Sequence, residues 1–277
     1  MISIGTYHVL TIDRERLPGI YLTNEDGDEV LLPNKYVPET FEVGGSIKVF
    51  TYLDHMERIV ATTLEPFATV NSFAFLKCAA VSEIGAFLDW GLEKHLFVPF
   101  KEQANQMKVG RSYLVYVYLD EKTERLVGSS KTNRFLSNKL VLLSSYEEVD
   151  LIASHPSDKG WNMIINQKYL GLVYDDEIFQ KINVGDRMKG FVKKVRSDNK
   201  IDLTLQRHGY RSIEPNADLI IRMLKAEGGF LALNDKSSPE KIKDILQLSK
   251  KNFKKAIGTL YKQRLIKIEP DGISLVE

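Results

Sequence analysis

Val43-Gly44-Gly45-Ser46-Ile47-Lys48-Val49-Phe50 returns twice along the chain. It recurs as Val109-Gly110-Arg111-Ser112-Tyr113-Leu114-Val115-Tyr116 and as Val184-Gly185-Asp186-Arg187-Met188-Lys189-Gly190-Phe191. Counting from the shared glycine, the tenth residue on is Asp54, Asp120 and Val195, the sixteenth Val60, Leu126 and Ile201, and the nineteenth Thr63, Ser129 and Thr204, with no insertion needed. Fixed offsets of this kind mark one small module used three times.

Each copy alternates apolar and polar residues, turns, and alternates again. Met188, Gly190 and Val192 precede Arg196-Ser197-Asp198-Asn199-Lys200, and Ile201, Leu203 and Leu205 follow it, the pattern of a hairpin with one buried face. The Val-Gly opening suits a turn in which glycine takes positive φ without a Cβ clash. Upstream lie Gly19-Ile20-Tyr21-Leu22, Gly85-Ala86-Phe87-Leu88-Asp89 and Gly160-Trp161-Asn162-Met163-Ile164. After them come Leu31-Leu32-Pro33, Phe97-Val98-Pro99 and Leu172-Val173-Tyr174. Each unit therefore reads as a barrel of about five short strands.

At 277 residues the length alone suggests about two domains. The repeats divide it instead into barrels at 1–65, 66–140 and 141–212 and a last module at 213–277. An apolar content of 43% excludes a disordered chain, and the single cysteine, Cys78, excludes a disulfide scaffold and a cysteine zinc site. No apolar run reaches membrane-spanning length, and Met1 to Leu10 lacks a basic start before an apolar stretch, so a cytoplasmic protein without a membrane partner is expected.

In the last module the periodicity becomes helical. Pro215-Asn216-Ala217-Asp218 opens a helix carrying Leu219, Ile220, Met223 and Leu224, which Gly228-Gly229 ends. Ser237-Ser238-Pro239-Glu240 caps a second with Ile242, Ile245 and Leu246. Ser249 caps a third, with Phe253, Ala256, Ile257, Leu260 and Tyr261 assigned to its inner face. Leu265 to Ile268 and Ile273 to Val276, joined through Pro270-Asp271-Gly272, form a terminal hairpin. At 100° per residue from Phe253, the lysines 251, 254, 255 and 262 fall between about 100° and 200°, with Gly258 among them. No acid occurs from Ile245 to Ile268.

The 38 basic and 37 acidic side chains are unevenly spread. The four segments carry 5 basic and 11 acidic, 10 and 7, 11 and 10, and 12 and 9. Arg187 to Arg211 alone holds eight cations against Asp198 and Asp202. The near-neutral total thus conceals an acidic first barrel and basic segments beyond it, a distribution compatible with nucleic acid. The five histidines (His8, His55, His95, His155, His208) lack ligand spacing, and Asp175-Asp176-Glu177 and Glu147-Glu148 are neighbours whose side chains diverge. No phosphate-cradling loop, nucleophile elbow or Cys/His pair is present. No catalytic residue, metal site or cofactor is expected. Lys131-Thr132-Asn133-Arg134 is assigned as a linker, with phosphate contact as the other reading.

Gly85 to Gly91, Gly171 to Tyr174 and Ile201 to Leu205 resemble successive strands of S1-like RNA-binding domains, which are OB-type barrels. The family's aromatic is kept as Phe87 and Tyr21 but is Asn162 in the third copy, and its histidine is replaced by Pro33, Pro99 and Tyr174. The three helices and terminal hairpin resemble a winged helix-turn-helix. The fold class is multidomain and mainly β: three tandem S1-like OB-type five-stranded barrels followed by a C-terminal α+β winged helix. That order resembles the bacterial conserved virulence factor B family, which implies an RNA-binding regulator without catalysis. On this reading barrels 2 and 3 act with the winged helix on single-stranded RNA. Phe87, Trp90 and Tyr174 stack bases, and Lys189, Lys193, Lys194, Arg196, Lys250, Lys251, Lys254 and Lys255 contact phosphates. The acidic first barrel is a spacer or faces a protein partner. A winged-helix DNA-binding regulator and a protein-interaction adaptor remain open alternatives.

Overall fold

The computed structural model describes residues 1–178, 180–206, 215–262 and 264–276. Arg207, His208 and Arg211, counted above among the cations and histidines, lie outside the described residues. The chain forms two compact units, Met1–Leu203 and Thr204–Glu277.

The first unit holds three closed barrels. Their strands are β1 (Tyr7–Arg16), β2 (Gly19–Thr23), β3 (Glu29–Pro33), β4 (Ser46–Leu53) and β5 (Ile59–Thr62); β6 (Ser72–Val81), β7 (Gly85–Asp89), β8 (Leu96–Pro99), β9 (Ser112–Asp120) and β10 (Arg125–Ser129); and β11 (Glu148–Ser157), β12 (Gly160–Ile165), β13 (Tyr169–Tyr174), β14 (Arg187–Val195) and β15 (Ile201–Thr204). In each barrel the first strand pairs with the second and fourth, and the third runs parallel to the fifth.

Two sets of glycines explain why the copies look alike. Gly44, Gly110 and Gly185 take φ of 86°, 83° and 89°, as a turn before the fourth strand requires. Their N–H groups donate to the carbonyls of Ile12, Cys78 and Ala153, each at 2.8 Å. Gly19, Gly85 and Gly160 open the second strands, facing Pro33, Pro99 and Tyr174 across the hairpin. A Cβ there would lie 2.1, 2.4 and 2.0 Å from the carbonyl oxygens of Leu32, Val98 and Val173. No side chain fits without moving backbone. Gly160→Ala is therefore expected to cost at least 2 to 3 kcal/mol, roughly the scale of backbone and overpacking defects. Urea unfolding of the full chain measures it, and an unchanged midpoint would contradict the packing described.

The first strands were not specified by the alternating pattern, and the structure shows why. Each has a register shift at the same place, between Ile12 and Arg14, Cys78 and Ala80, and Ala153 and His155. The bulge bends one long strand so that its two halves pair with different neighbours, closing the barrel, but it breaks the alternation. The offsets also need a correction. Phe50 pairs with Thr62, whereas the equivalent Tyr116 pairs with Ser129, so the first hairpin is one residue shorter. Thr62, not Thr63, matches Ser129 and Thr204: each of these three hydroxyls accepts the N–H two residues on.

The barrels are joined through outward side chains at the eighth position of the repeat. Phe50 is fully buried, edge-on to Trp90 of the second barrel at 5.8 Å, within a core that spans both barrels. Tyr116 stacks on Phe135 at 4.1 Å beside the core shared by Phe73, Leu114, Ile152 and Ile164 of barrels 2 and 3. Phe191, the third of the set, is half-buried opposite Glu148.

Ion pairs rim the first joint. Lys35 pairs with Glu93, and Glu57 binds Lys94 at 3.0 Å and Arg125 at 2.7 Å. The hydrogen bond from Lys94 holds the Glu57 carboxyl below its ordinary value, as that from Lys35 does for Glu93. A lowered carboxylate stabilises the fold above the unfolded value and ceases to as pH falls through the folded one. The joint is expected to hold from neutrality down to about pH 4.5, the ordinary glutamate value, and to weaken below it. Hydrogen exchange at the joint, compared at pH 6 and about pH 3.5, checks the direction.

The second unit contains α1 (Pro215–Ala226), β16 (Phe230–Leu231), α2 (Pro239–Leu246), α3 (Lys250–Lys262), β17 (Ile266–Ile268) and β18 (Ile273–Leu275). Ser238 and Ser249 accept the N–H groups of Lys241 and Asn252 at 3.3 and 3.2 Å, starting α2 and α3. Gly228 and Gly229 take positive φ, and the Gly229 N–H donates to Leu224 O at 2.7 Å as α1 ends. Ile220, Leu224, Ile242, Leu246, Phe253, Ile257 and Leu260 share one core. The short β16 adds a third strand, in the order β16-β18-β17.

Candidate nucleic-acid interface

Phe87 on β7 and Phe97 on β8 are directly opposed across the strands. Both are half-buried, with ring centroids 5.2 Å apart, and they line a cleft of about 380 Å³ with Ile84, Lys94, His95 and Arg125 and with the carboxylates Glu57 and Glu93, Glu57 pairing with both Lys94 and Arg125. Aromatic faces beside cations are what unstacked bases and their phosphates use. The sequence places Phe97 on a strand without marking it as a stacking residue, although its alternation with buried Leu96 and Val98 puts it on the same side as Phe87. At the matching positions barrel 1 has Tyr21 and Leu31, and barrel 3 has Asn162 and Leu172.

Trp90 is corrected. It is 3% exposed, its indole N–H donates to Lys94 O at 2.7 Å, and its ring packs against Phe50. Its position just past β7 turns the side chain into the joint with barrel 1, so it offers no face to a base. Tyr174 ends β13 half-buried, its hydroxyl hydrogen-bonded by Arg196 and lying 3.5 Å from Asp202 Oδ1.

Lys189, Lys193 and Lys194 sit on β14, where Gly190 and Val192 point inward and the three lysines are exposed; Arg196 follows the end of the strand. Most have internal partners. Lys189 binds Asp150 directly across the strands at 2.8 Å, Lys193 binds Glu177, and Arg196 binds Asp202 at 2.8 Å. These hydrogen bonds raise the pKa values of all three cations. Lys194 has no ion pair among the described residues. Exchanging an exposed pair for a phosphate costs little, but paired charge projects a weak field.

On α3, Lys251, Lys254, Lys255 and Lys262 are exposed and Lys250 is half-buried. Phe253, Ala256, Ile257 and Leu260 form the inner face as expected. Tyr261 does not join them: it is 57% exposed. Its angle of about 80° from Phe253 lies at the edge of the apolar stripe, where one turn of drift delivers it to the lysines. Gly258 has open space where a Cβ would stand.

Among the described residues no group of three or more His, Cys, Asp or Glu could hold a metal, and no helix is long and apolar enough to cross a membrane. Burial pushes the Cys78 thiol up, opposite to the direction a nucleophile needs.

Family models match the first two barrels and the winged-helix unit. The S1 domain model matches residues 4–64 and 74–129, and the CvfB-like winged helix domain model matches 218–275. YitL of Bacillus subtilis (strain 168), described as an uncharacterized protein, is 27% identical, over 93% of this chain and 89% of its own. Conserved virulence factor B of Staphylococcus epidermidis (strain ATCC 12228) is 23% identical over 92% and 89%. That of Staphylococcus aureus (strain N315) is 25% identical over 86% and 82%. A crystal structure of a multidomain protein with nucleic acid binding domains from Streptococcus pneumoniae is 26% identical over 99% of this chain and 98% of its own, with a TM-score of 0.43.

Proposed function

The chain belongs to the CvfB-like proteins, tandem S1-type barrels closed by a winged helix, and from that premise we propose that it binds single-stranded RNA as a post-transcriptional regulator. The observation that carries the reading is the Phe87–Phe97 pair, two aromatic rings held side by side on an S1-type barrel, with Lys94 and Arg125 nearby as partners of Glu57. Barrel 2 supplies the stacking faces. Barrel 3 adds Tyr174, Lys189, Lys193, Lys194 and Arg196 at its surface, and α3 contributes Lys250, Lys251, Lys254 and Lys255 to phosphates. The acidic first barrel braces the second through Phe50 and the Glu57 pairs, and its charge repels phosphate. Its remaining surface is the place for a protein partner. The module set is one for binding, not catalysis.

Phe87→Ala tests the stacking. It is expected to weaken single-stranded RNA binding by about 1–3 kcal/mol while leaving the salt dependence unchanged, because a stacked base carries no counterion. Fluorescence anisotropy at two salt concentrations measures both. Unaltered affinity would remove barrel 2 from the interface. Gly258→Ala separates two roles on α3. Added helix propensity in open space should stabilise the second unit by roughly 0.5–1 kcal/mol. If a phosphate approaches the bare backbone there, the more stable variant binds RNA less tightly. A DNA-binding regulator, the alternative class, would instead prefer duplex DNA over single-stranded RNA.

A further inference from the structure

The joint between barrels 2 and 3 leaves a cleft of about 650 Å³. Ser130, Lys131, Thr132, Asn133, Arg134 and His155 line it, with Tyr113 behind them. The two barrels that form its sides are tied together. Phe73 is fully buried between the barrels, its N–H donates to Gln167 Oε1 at 2.7 Å, and its carbonyl accepts from Arg187 at 3.0 Å. Both partners belong to barrel 3.

Among the described residues no carboxylate lines this cleft. Glu102 is buried behind it, at 7% side-chain exposure, and binds Arg134 at 2.7 Å. The guanidinium also lies over the Phe135 ring at 4.5 Å, so it is held in place. Lys131 is exposed, and among the described residues it makes no ion pair. The site therefore presents one uncompensated cation, one oriented guanidinium and short hydroxyl and amide groups. A singly charged, multi-acceptor anion such as a phosphodiester matches that set, whereas a cation or an apolar segment does not.

Its location connects it to the stacking pair. Val127 pairs with Phe97 on the neighbouring parallel strand, and Ser130 lies three residues further, about 10 Å along. A strand stacked on Phe87 and Phe97 and continuing toward barrel 3 reaches the cleft next. Building on the RNA reading above, we propose that this cleft seats a phosphodiester of the bound single-stranded RNA as it passes from barrel 2 to barrel 3. Lys131 supplies the charge and Thr132 and Asn133 supply hydrogen bonds. The segment that looked like a linker is then part of the interface.

The test uses the full chain with Lys131→Ala and Lys131→Glu, titrated with a single-stranded RNA of about sixteen nucleotides across a salt series. Lys131→Ala should lower affinity several-fold and reduce the slope of log affinity against log salt by about 0.7, one phosphate's share for a single strand. Lys131→Glu should lower affinity further, with unfolding midpoints unchanged because the side chain is exposed. If the parent binds RNA and both variants keep its affinity and slope, the cleft proposal falls and the RNA reading survives. If the parent binds no RNA even at low salt, both fall. Adenosine monophosphate forms the second arm, since it carries phosphate chemistry without a strand. If Lys131→Ala abolishes its binding while RNA affinity and salt slope stay those of the parent, the cleft belongs to free nucleotides and the proposal is overturned.

Discussion

Trp90→Ala is expected to destabilise the first unit by about 3–5 kcal/mol, the usual range for deleting a buried large aromatic. The ring fills space in the second barrel and meets Phe50 of the first, so its loss empties the joint as well as a core. The indole hydrogen bond to Lys94 O goes too, which loosens the loop bearing the Lys94–Glu57 pair. Urea unfolding followed at both barrels should show a large shift in midpoint. Trp90→Phe restores most of the volume and should recover most of the stability. Under conditions where it is folded, its RNA affinity should stay within about twofold of the parent, because the ring is not a stacking platform. A marked loss of affinity in a fully folded Trp90→Phe would return this residue to the interface.

The second large effect is electrostatic. Replacing Lys251, Lys254 and Lys255 together by alanine should reduce RNA affinity by one to two orders of magnitude near physiological salt. It should also lower the salt slope by roughly 0.7 for each phosphate released from contact. These side chains stand on the face of α3 opposite Phe253 and Ile257, within a stretch that has no acid from Ile245 to Ile268. Removing Lys189, Lys193 and Arg196 should do less. In the free protein their charges already face Asp150, Glu177 and Asp202, and their loss releases those acids rather than a phosphate alone. Helicity and unfolding midpoint control for folding, and a greater effect from the barrel-3 set would contradict this ranking.

How much of this could be read from the chain depended on how local each constraint is. A glycine forced into positive φ, or pressed against the carbonyl of Leu32, Val98 or Val173, leaves its mark at one position. Three such marks at matched spacing revealed the barrels. The caps at Ser238 and Ser249 are equally local and were equally legible. The first strands were hidden because their bulges shift the alternation midway, and the one-residue difference in the first hairpin was masked by threonines at both 62 and 63.

The site was harder to read because its residues are defined by partners remote in sequence. Trp90 looked like a stacking residue beside Asp89, but the neighbouring barrel covers it. The basic run on β14 looked like an open patch, but the strand pairing sets Lys189 opposite Asp150. Tyr261 sat near the boundary of the helical stripe, where the period alone cannot decide the side. The Phe87–Phe97 pair needed the hairpin register before its second ring came into view.

RNA binding by this chain is tested most directly by its affinity for matched single-stranded RNA, single-stranded DNA and duplex DNA across a salt series. Tightest binding to single-stranded RNA is expected, with log affinity falling linearly against log salt at a slope of about −3 to −5, as for four to seven neutralised phosphates. Preference for the duplex, or RNA binding indifferent to salt, would contradict it.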